Sequence, residues 1–591
     1  MNNDTNPRLD ALRSLMRSKH IDAVIIPGTD PHQSEYPCAH WKFRDYISGF
    51  TGSNGTAVVT LSDAGLWTDS RYFLQADEQL EGSGFKLHKE LPDESTTLEW
   101  LGEVLDENAV IGVDGRLFTL VEANRIEMFC AQNGFMFAPD FRAAEAVWPE
   151  RPSRPMGAAF VHDETIAGET VESKVERVLD AVDKADADGL LVTSLDEIAW
   201  LFNVRGYDVD YTPVVTAFAY VSFGERVLFI DSDKLTDEVK AHLEKYNVKV
   251  KHYDDIEKFL GKLRSSATVM VDPNQVSDAL GQAMICNKTY GPSPIIALKG
   301  VKNDCQVAGF RQAMLYDGVA MVRMMMWLEQ NVKNGITEMD VDRRLQQERA
   351  KFDSNRGDSF HMIAGYNDHG AIVHYEATYE SAYRLDADGL LLIDTGGQYL
   401  EGTTDVTRTI CLGQPTAAQK HDFTLVLKGH LALSRAVFPK GTTGVQLDVL
   451  ARGPLWQEGM TYLHGTGHGV GQFLCCHEGP QSIRMQINDT PLELGMITSN
   501  EPGIYKTGQY GIRTENLLLC VPAYSSEQWG EYYKFETLTL FPYDVTLIDA
   551  DMLNREEVEQ INSYHAMVCE RLSPELSADE ASWLKQKCKP L

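Results

Sequence analysis

The chain has 591 residues; 43% are hydrophobic and 24% charged, and 54 Lys and Arg stand against 86 Asp and Glu, a formal charge of −32. At roughly 150 residues per domain that length predicts three or four domains, and a composition near the globular average excludes disordered and fibrous classes. Phosphate binding depends on neutralisation by Lys and Arg, so this acidity excludes nucleic acid and anionic membrane as partners.

No stretch approaches the ~18 consecutive apolar residues of a membrane span. Met1 to Arg8 is polar and passes straight into a helical pattern, with no apolar signal-peptide core. The ten Cys, scattered from Cys38 to Cys588, form neither a disulfide framework nor a Cys-x-x-Cys clip. A reducing cytoplasm is the expectation.

In chain order, a helical run from Leu9 to Ser18 precedes an apolar strand at Ala23-Val24-Ile25-Ile26. Further β-rich runs follow at Tyr46 to Phe50, Thr56 to Thr60 and Leu66 to Asp69. Pro149 to Pro155 cannot sustain a helix or a central strand, because each Pro lacks a donor and restricts its predecessor. Beyond it the outline repeats: a helical run from Val175 to Lys184, then Gly189 to Thr193, Trp200-Leu201-Phe202, Val214 to Tyr220 and Val227 to Asp231. Runs of this kind, alternating with helices, fit small α/β domains and suggest a duplicated fold. Tyr290 to Pro294 marks a second boundary, so the domains are expected at 1–155, 156–300 and 301–591. The third opens with a long helix, Asp304 to Gln330, whose Met321, Met324, Met325 and Leu328 form a core-facing stripe. Thr337 caps the next helix. Near the end, Asn554 with Glu557 and Ser577 with Glu580 read as capping boxes on two helices separated by Ser573-Pro574.

The chemistry lies between His374 and Glu515. Leu390 to Asp394 reads as a buried strand ending in a carboxylate, Gly396-Gly397 turns the chain, and Thr403 to Ile410 returns with strand alternation, carrying Asp405 towards Asp394. Next, His464-Gly465-Thr466-Gly467-His468-Gly469-Val470-Gly471, read as an extended strand, puts His464, Thr466, His468 and Val470 on one face and only Gly on the other. A bare face permits close approach of another backbone. Glu501-Pro502-Gly503 puts a carboxylate on a turn. In Gly511 to Leu519, read as one strand, Arg513 and Glu515 point the same way. Buried charges of this kind need a partner or a metal. Asp394, Asp405, His468, Glu501 and Glu515 form an oxygen-rich set with one imidazole, which suits Mn²⁺, Co²⁺ or Fe²⁺. So many carboxylates exceed what one divalent ion needs, and two ions roughly 3.5–4 Å apart are the natural solution, with hydrolysis as the chemistry. His374 and His477 could supply donors and proton carriers. There is no Walker loop and no His-Glu-x-x-His, and Gly49 to Gly55 lacks the Lys and helix of a phosphate loop.

That series, together with His477-Glu478-Gly479-Pro480 and the His464 to Gly471 run, resembles the pita-bread metallopeptidases, the superfamily of methionine aminopeptidase, prolidase, creatinase and aminopeptidase P. Ile47-Ser48-Gly49-Phe50-Thr51-Gly52-Ser53, Leu66 to Phe73 and Asp196 to Gly206 are similar to the family's leading domains. The resemblance implies an α/β (α+β) chain: two small creatinase-N-like domains and a C-terminal pita-bread domain, as in the long cytosolic form of aminopeptidase P. It implies two Mn²⁺ per subunit, with Co²⁺ or Zn²⁺ as possible substitutes. Asp394 would bind one ion through both oxygens, Asp405 and Glu515 would bridge the pair, and His468 and Glu501 would complete the other. Glu501 would also be a general base. His374, His464 and His477 would surround the substrate, with Tyr505 and Arg513 behind them. Asn500 stands where some relatives have Asp, with tuning expected. The implied reaction is hydrolysis of the Xaa-Pro bond at peptide N-termini by a metal-bridged hydroxide, in a cytoplasmic homodimer. The alternatives are a prolidase cutting Xaa-Pro dipeptides and a catalytically inactive pita-bread binding module.

Overall fold

A computed structural model describes residues 5–91 and 96–591, so Met1 to Asp4 of the polar N-terminus lie outside the described residues. The chain divides into two compact units: residues up to Asp163 with Glu169–Ile296, and Glu164–Gly168 with Ala297–Leu591.

The first unit holds two six-stranded sheets. One contains β1 (Ala23–Pro27), β2 (Thr56–Thr60), β3 (Ala64–Thr68), β4 (Lys86–Lys89), β5 (Val110–Gly112) and β6 (Met136–Ala138), after helix α1 (Thr5–Lys19). The other contains β7 (Gly189–Val192), β8 (Phe218–Ser222), β9 (Arg226–Phe229), β10 (Val248–Lys251), β11 (Thr268–Val271) and β12 (Asn287–Tyr290), after α2 (Val171–Lys184). The orders are β4-β3-β2-β1-β5-β6 and β10-β9-β8-β7-β11-β12. In both, the first three strands of the chain pair antiparallel and the remaining pairs are parallel. Order and directions coincide strand for strand, so the expected duplication is present. Helices cover both faces of the first sheet, which is why β1 shows no polar alternation: Val24 and Ile26 enter one core and Ala23 and Ile25 another.

Two of the β-rich runs are helical instead. Tyr46 to Ser48 ends the helix Phe43–Ser48, closed by Gly49 at φ 81°, and Trp200-Leu201-Phe202 ends α3 (Leu195–Phe202), closed by Asn203 at φ 50°. Apolar runs of three to five residues carry no period that separates the two states, and the left-handed residue after each decides. Val214 to Ala217 also lies outside β8, because Asp208 captures it: the Asp208 N–H donates to the Val214 carbonyl at 3.1 Å and the Thr216 N–H donates to the Asp208 carboxylate at 2.6 Å.

The second unit opens with α4 (Asp304–Asn331), and Met321, Met324, Met325 and Leu328 all enter its core. Thr337 caps α5 (Glu338–Arg349). An antiparallel sheet follows, β13 (Ile363–Tyr366), β14 (Leu390–Thr395) and β15 (Val406–Cys411), with β14 central. Helices α6 (Ala417–Ser434) and α7 (Gly444–Trp456) pack closely, since a Cβ on Gly429 would stand 2.0 Å from the Ala451 carbonyl. A second sheet contains β16 (Val437–Pro439), β17 (Gly467–Gly469), β18 (Glu478–Ile483), β19 (Ile497–Asn500), β22 (Asn516–Ser526) and β23 (Gly530–Thr537), in the order β16-β23-β22-β19-β17-β18. Between β19 and β22 lies the hairpin β20 (Gly503–Lys506) and β21 (Tyr510–Arg513). The tail forms α8 (Arg555–Leu572) and α9 (Ala578–Lys587), each with its capping box complete.

Candidate metal centre

Strand β14 presents Asp394 beside Thr407 of β15, and Asp405 immediately precedes β15. The antiparallel register thus brings the two carboxylates to one edge. The third carboxylate arrives on the two-residue link Glu501-Pro502, which joins β19 to β20 without the expected turn. The fourth, Glu515, sits in a break: Gly511 to Leu519 is not one strand but β21 and β22 separated by Thr514-Glu515. The break lets the Thr407 hydroxyl donate to Glu515 Oε2 at 2.7 Å, while Arg513 Nε donates to the same hydroxyl at 3.3 Å.

The His464 to Gly471 run is laddered only over Gly467–Gly469. Its bare face has the expected use: a Cβ on Gly467 would lie 2.0 Å from the Ser499 carbonyl, and one on Gly469 2.6 Å from that of Glu478. This approach sets His468 against the acids. Its Nδ1–H donates to the Gly469 carbonyl at 2.9 Å, leaving Nε2 3.4 Å from both Asp405 Oδ2 and Glu501 Oε1. Thr466, by contrast, donates to Asp448 on α7, so the four residues do not share one environment.

Donor atoms of Asp405, His468 and Glu515 lie within 4.8 Å of one another, as do those of Asp405, Cys476 and His477. Asp394 Oδ2 accepts from Arg513 Nη2 at 2.6 Å and Nε at 3.1 Å, but its Oδ1 is buried without a hydrogen bond, as is Glu515 Oε1. Two buried carboxylate oxygens without donors, beside further acids and an imidazole nitrogen, fit divalent cations. The electrostatics agree. Burial pushes the carboxyls of Asp394, Glu501 and Glu515 up, and mutual repulsion adds to it. Burial pulls the His468 imidazole down, yet Asp405 and Glu501 outweigh it and the net shift is upward.

Around this cluster, Arg513 Nη1 donates to the Tyr505 oxygen at 2.7 Å, and the Tyr505 hydroxyl meets His464 Nε2 at 2.8 Å, so Asp394, Arg513, Tyr505 and His464 form one chain of contacts. His464 Nδ1 lies 4.0 Å from Glu501 Oε2. The His477 ring stands edge-on to His468 at 4.4 Å. His374 is half-buried in the loop after β13, and Arg513 Nη2 donates to the carbonyl of Val373, its predecessor, at 3.3 Å. Asn500 turns away: its amide donates to the His430 carbonyl at 2.9 Å and to Ser434 at 3.0 Å on α6, so it anchors β19 to a helix and does not touch the carboxylates. Sequence reasoning missed three contributors. Thr407 is two residues from Asp405, so strand alternation would have found it. The Ser499 hydroxyl meets both the His468 N–H (3.0 Å) and Glu501 Oε1 (3.3 Å). Cys476, whose Sγ donates to Asp405 Oδ2 at 3.2 Å, had only its adjacency to His477 to mark it.

The model of metallopeptidase family M24 matches residues 308–522, with the C-terminal region of that peptidase at 531–591. Creatinase/prolidase N-terminal domain models match 8–136 and 150–306. A probable Xaa-Pro aminopeptidase P of Laccaria bicolor is 39% identical over 100% of this chain and 94% of its own length. The chain belongs to the aminopeptidase P family. A second member, aminopeptidase P2 of Arabidopsis thaliana, is 39% identical over 97% of this chain and 86% of its own. Among solved structures, an X-prolyl aminopeptidase from Caenorhabditis elegans, described as a cytosolic enzyme with a di-nuclear active site, superposes with a TM-score of 0.96 at 33% identity, covering 99% of this chain and 100% of that one. A Xaa-Pro dipeptidase from Bacillus anthracis shares the fold alone, at TM-score 0.52 and 22% identity over 63% of this chain and 99% of its own. As in the family, two creatinase-type domains here precede the pita-bread peptidase domain.

Proposed function

We propose that the chain is a metal-dependent aminopeptidase that releases the first residue from peptides with Pro second. The observation that carries this is the pair of unpartnered buried oxygens, Asp394 Oδ1 and Glu515 Oε1, within a four-carboxylate, one-imidazole cluster, in a chain 39% identical to aminopeptidases P over its full length. Asp394, Asp405, His468, Glu501 and Glu515 would hold two ions. Their oxygen-rich donor set favours Mn²⁺, and divalent ions held there supply a nucleophilic water at neutral pH and polarise the Xaa carbonyl.

The side chains do the rest. Glu501, whose carboxyl burial shifts towards neutrality, is suited to take a proton from the attacking water. His477, at the rim beside His468, delivers a proton to the departing Pro nitrogen. His464, oriented by Tyr505, and His374 donate to the oxygen that gains charge. Arg513 fixes Asp394 and Tyr505 together. Pro explains the need for a specialist: its nitrogen has no N–H to grip and carries a ring.

The domain limits 1–155, 156–300 and 301–591 belong to the same reading, as do a cytoplasmic setting and a homodimer formed through the third domain. Supporting the last, Trp456, Leu463, Met485 and Ile487 are exposed at 44%, 41%, 40% and 80%. Light scattering measures the assembly, and a monomer at micromolar concentration removes the dimer.

The deciding test strips the metal with a chelator and restores Mn²⁺ before a peptide panel. Mn²⁺-dependent release of Xaa from Xaa-Pro-Yaa-Zaa is the expected result. Cleavage confined to Xaa-Pro dipeptides would make the chain a prolidase, and no cleavage with no bound metal would make it a binding module.

A further inference from the structure

Beside the cluster lies a second group of donors that the proposed peptidase chemistry does not need in full. Cys476 is buried, and its Sγ stands 3.2 Å from Asp405 Oδ2. An imidazole nitrogen of His477 completes a triad whose donor atoms all lie within 4.8 Å of one another. Thiolate, imidazole and carboxylate with a fourth position left to water is a donor set for tetrahedral Zn²⁺ or Cd²⁺, with ion–sulfur and ion–oxygen distances near 2.3 and 2.0 Å for zinc. Tetrahedral angles over such bonds put sulfur and oxygen roughly 3.5 Å apart, close to the separation seen here. Hard Mn²⁺ gains little from sulfur, so the triad separates cations by softness.

We propose that Asp405, Cys476 and His477 form an inhibitory site for a thiophilic divalent cation such as Zn²⁺ or Cd²⁺. Binding exchanges the Sγ–H bond for an Sγ–metal bond, the proton passes to solvent, and no oxidation state changes. The ion takes Asp405 from the paired acids and His477 from the leaving nitrogen. Soft cations therefore inhibit at a position that shares Asp405 with the paired ions but adds the sulfur of Cys476, which Mn²⁺ does not use. The inhibitory consequence rests on the proposed peptidase function; the cation site itself does not.

The test uses the full chain, stripped of metal and titrated with Cd²⁺ while the ultraviolet cadmium–thiolate charge-transfer band is followed. Wild type and Cys475→Ser should gain the band. Cys476→Ser, which keeps a hydroxyl donor towards Asp405, should lose the band, because the thiolate that gives it is gone. In Mn²⁺-loaded protein, the ratio of the rate with Zn²⁺ to the rate without it should be closer to one in Cys476→Ser than in wild type, each variant being compared with itself. An unchanged band in Cys476→Ser, or one lost in Cys475→Ser alone, overturns the proposal. If Cys476→Ser fails to fold, X-ray absorption of the wild-type chain carrying one Zn²⁺ decides: sulfur among the ligands supports the site and its absence overturns it. A chain that shows the band yet cleaves no Pro-second peptide would sink the peptidase reading and leave the cation site standing.

Discussion

At the scale of single residues, Arg513 shows how a buried ion pair can serve a site without exhausting it. Its guanidinium binds one oxygen of Asp394 twice and leaves the other bare. A purely structural pair would satisfy both oxygens, because an unpaired buried acceptor costs about 1–3 kcal/mol. That Asp394, Asp405, His468, Glu501 and Glu515 could gather was legible from residue type and motif. The orienting partners were less so: Thr407 and Ser499 are ordinary strand hydroxyls until the fold sets them beside Glu515 and Glu501. Glu501→Ala should abolish turnover while leaving the thermal midpoint close to wild type, because it removes an unfavourably buried carboxyl; calorimetry and a Pro-second peptide assay check both, and near-normal activity would take Glu501 out of the mechanism. His477→Ala should lower kcat by about 10²-fold or more, the usual contribution of a general acid. Its metal content by elemental analysis should hold, and parallel loss of metal and rate would make His477 a ligand.

At the scale of elements, β17 is the tightest point. A Cβ on Gly467 would enter the Ser499 backbone, so Gly467→Ala must push β17 from β19. Overpacking of this kind costs about 1–3 kcal/mol. Because His468 follows Gly467 and Glu501 follows β19, metal content should fall further than the thermal midpoint does. The first turn of α5 carries a second device. Glu338 is fully buried and accepts from the Tyr366 N–H (2.7 Å), the Tyr383 N–H (2.7 Å), the Tyr375 hydroxyl (3.0 Å) and His369 Nδ1 (2.9 Å). The helix N-terminus favours its charge, and Tyr375 follows His374, so the carboxylate clips the histidine's loop to α5. Glu338→Gln turns an NH₂ towards those donors and should cost about 1–3 kcal/mol. A lowered thermal midpoint and a lowered kcat at unchanged metal content are expected, and a normal kcat would free the loop from Glu338. Helix starts were legible here because capping is a local matter: Thr337, Asn554 and Ser577 cap as expected. Tyr46 to Phe50 and Trp200 to Phe202 were not, because runs that short have no period to read.

At the scale of the whole molecule, burying His565 as a neutral imidazole makes the fold less stable in acid. Burial lowers His565 to about 4, with Arg408 adding to the effect, while its Nε2 accepts from the Tyr543 N–H at 3.1 Å. A folded-state value below the unfolded one, near 6.5, means that the unfolded chain binds more protons. The stability His565 contributes is complete above pH 6.5 and is lost as pH falls towards 4, on the order of 3 kcal/mol in all. His565→Gln keeps an acceptor for Tyr543 and removes this titration. The gap in thermal midpoint between wild type and variant should therefore narrow as pH drops from 7 to 4.5, and a gap independent of pH would mean that His565 does not weaken the fold in acid.

What the sequence alone determined was whatever depends on near neighbours or on residue chemistry: the repeated α/β outline, the capped helices, and a set of acids and imidazoles fit for divalent ions. The tertiary structure decided their meeting. Arg513 and Asp394 are 119 residues apart, and Glu515 and Thr407 108 apart. No local pattern encodes contacts of that span. They follow from the register of β14 on β15, the break after β21 and the glycine-only face of β17, which lie in two sheets and a hairpin that tertiary packing brings together. Cys476 makes the same point from the other side: its thiol meets Asp405, 71 residues away in the chain, a contact that adjacency to His477 could not reveal.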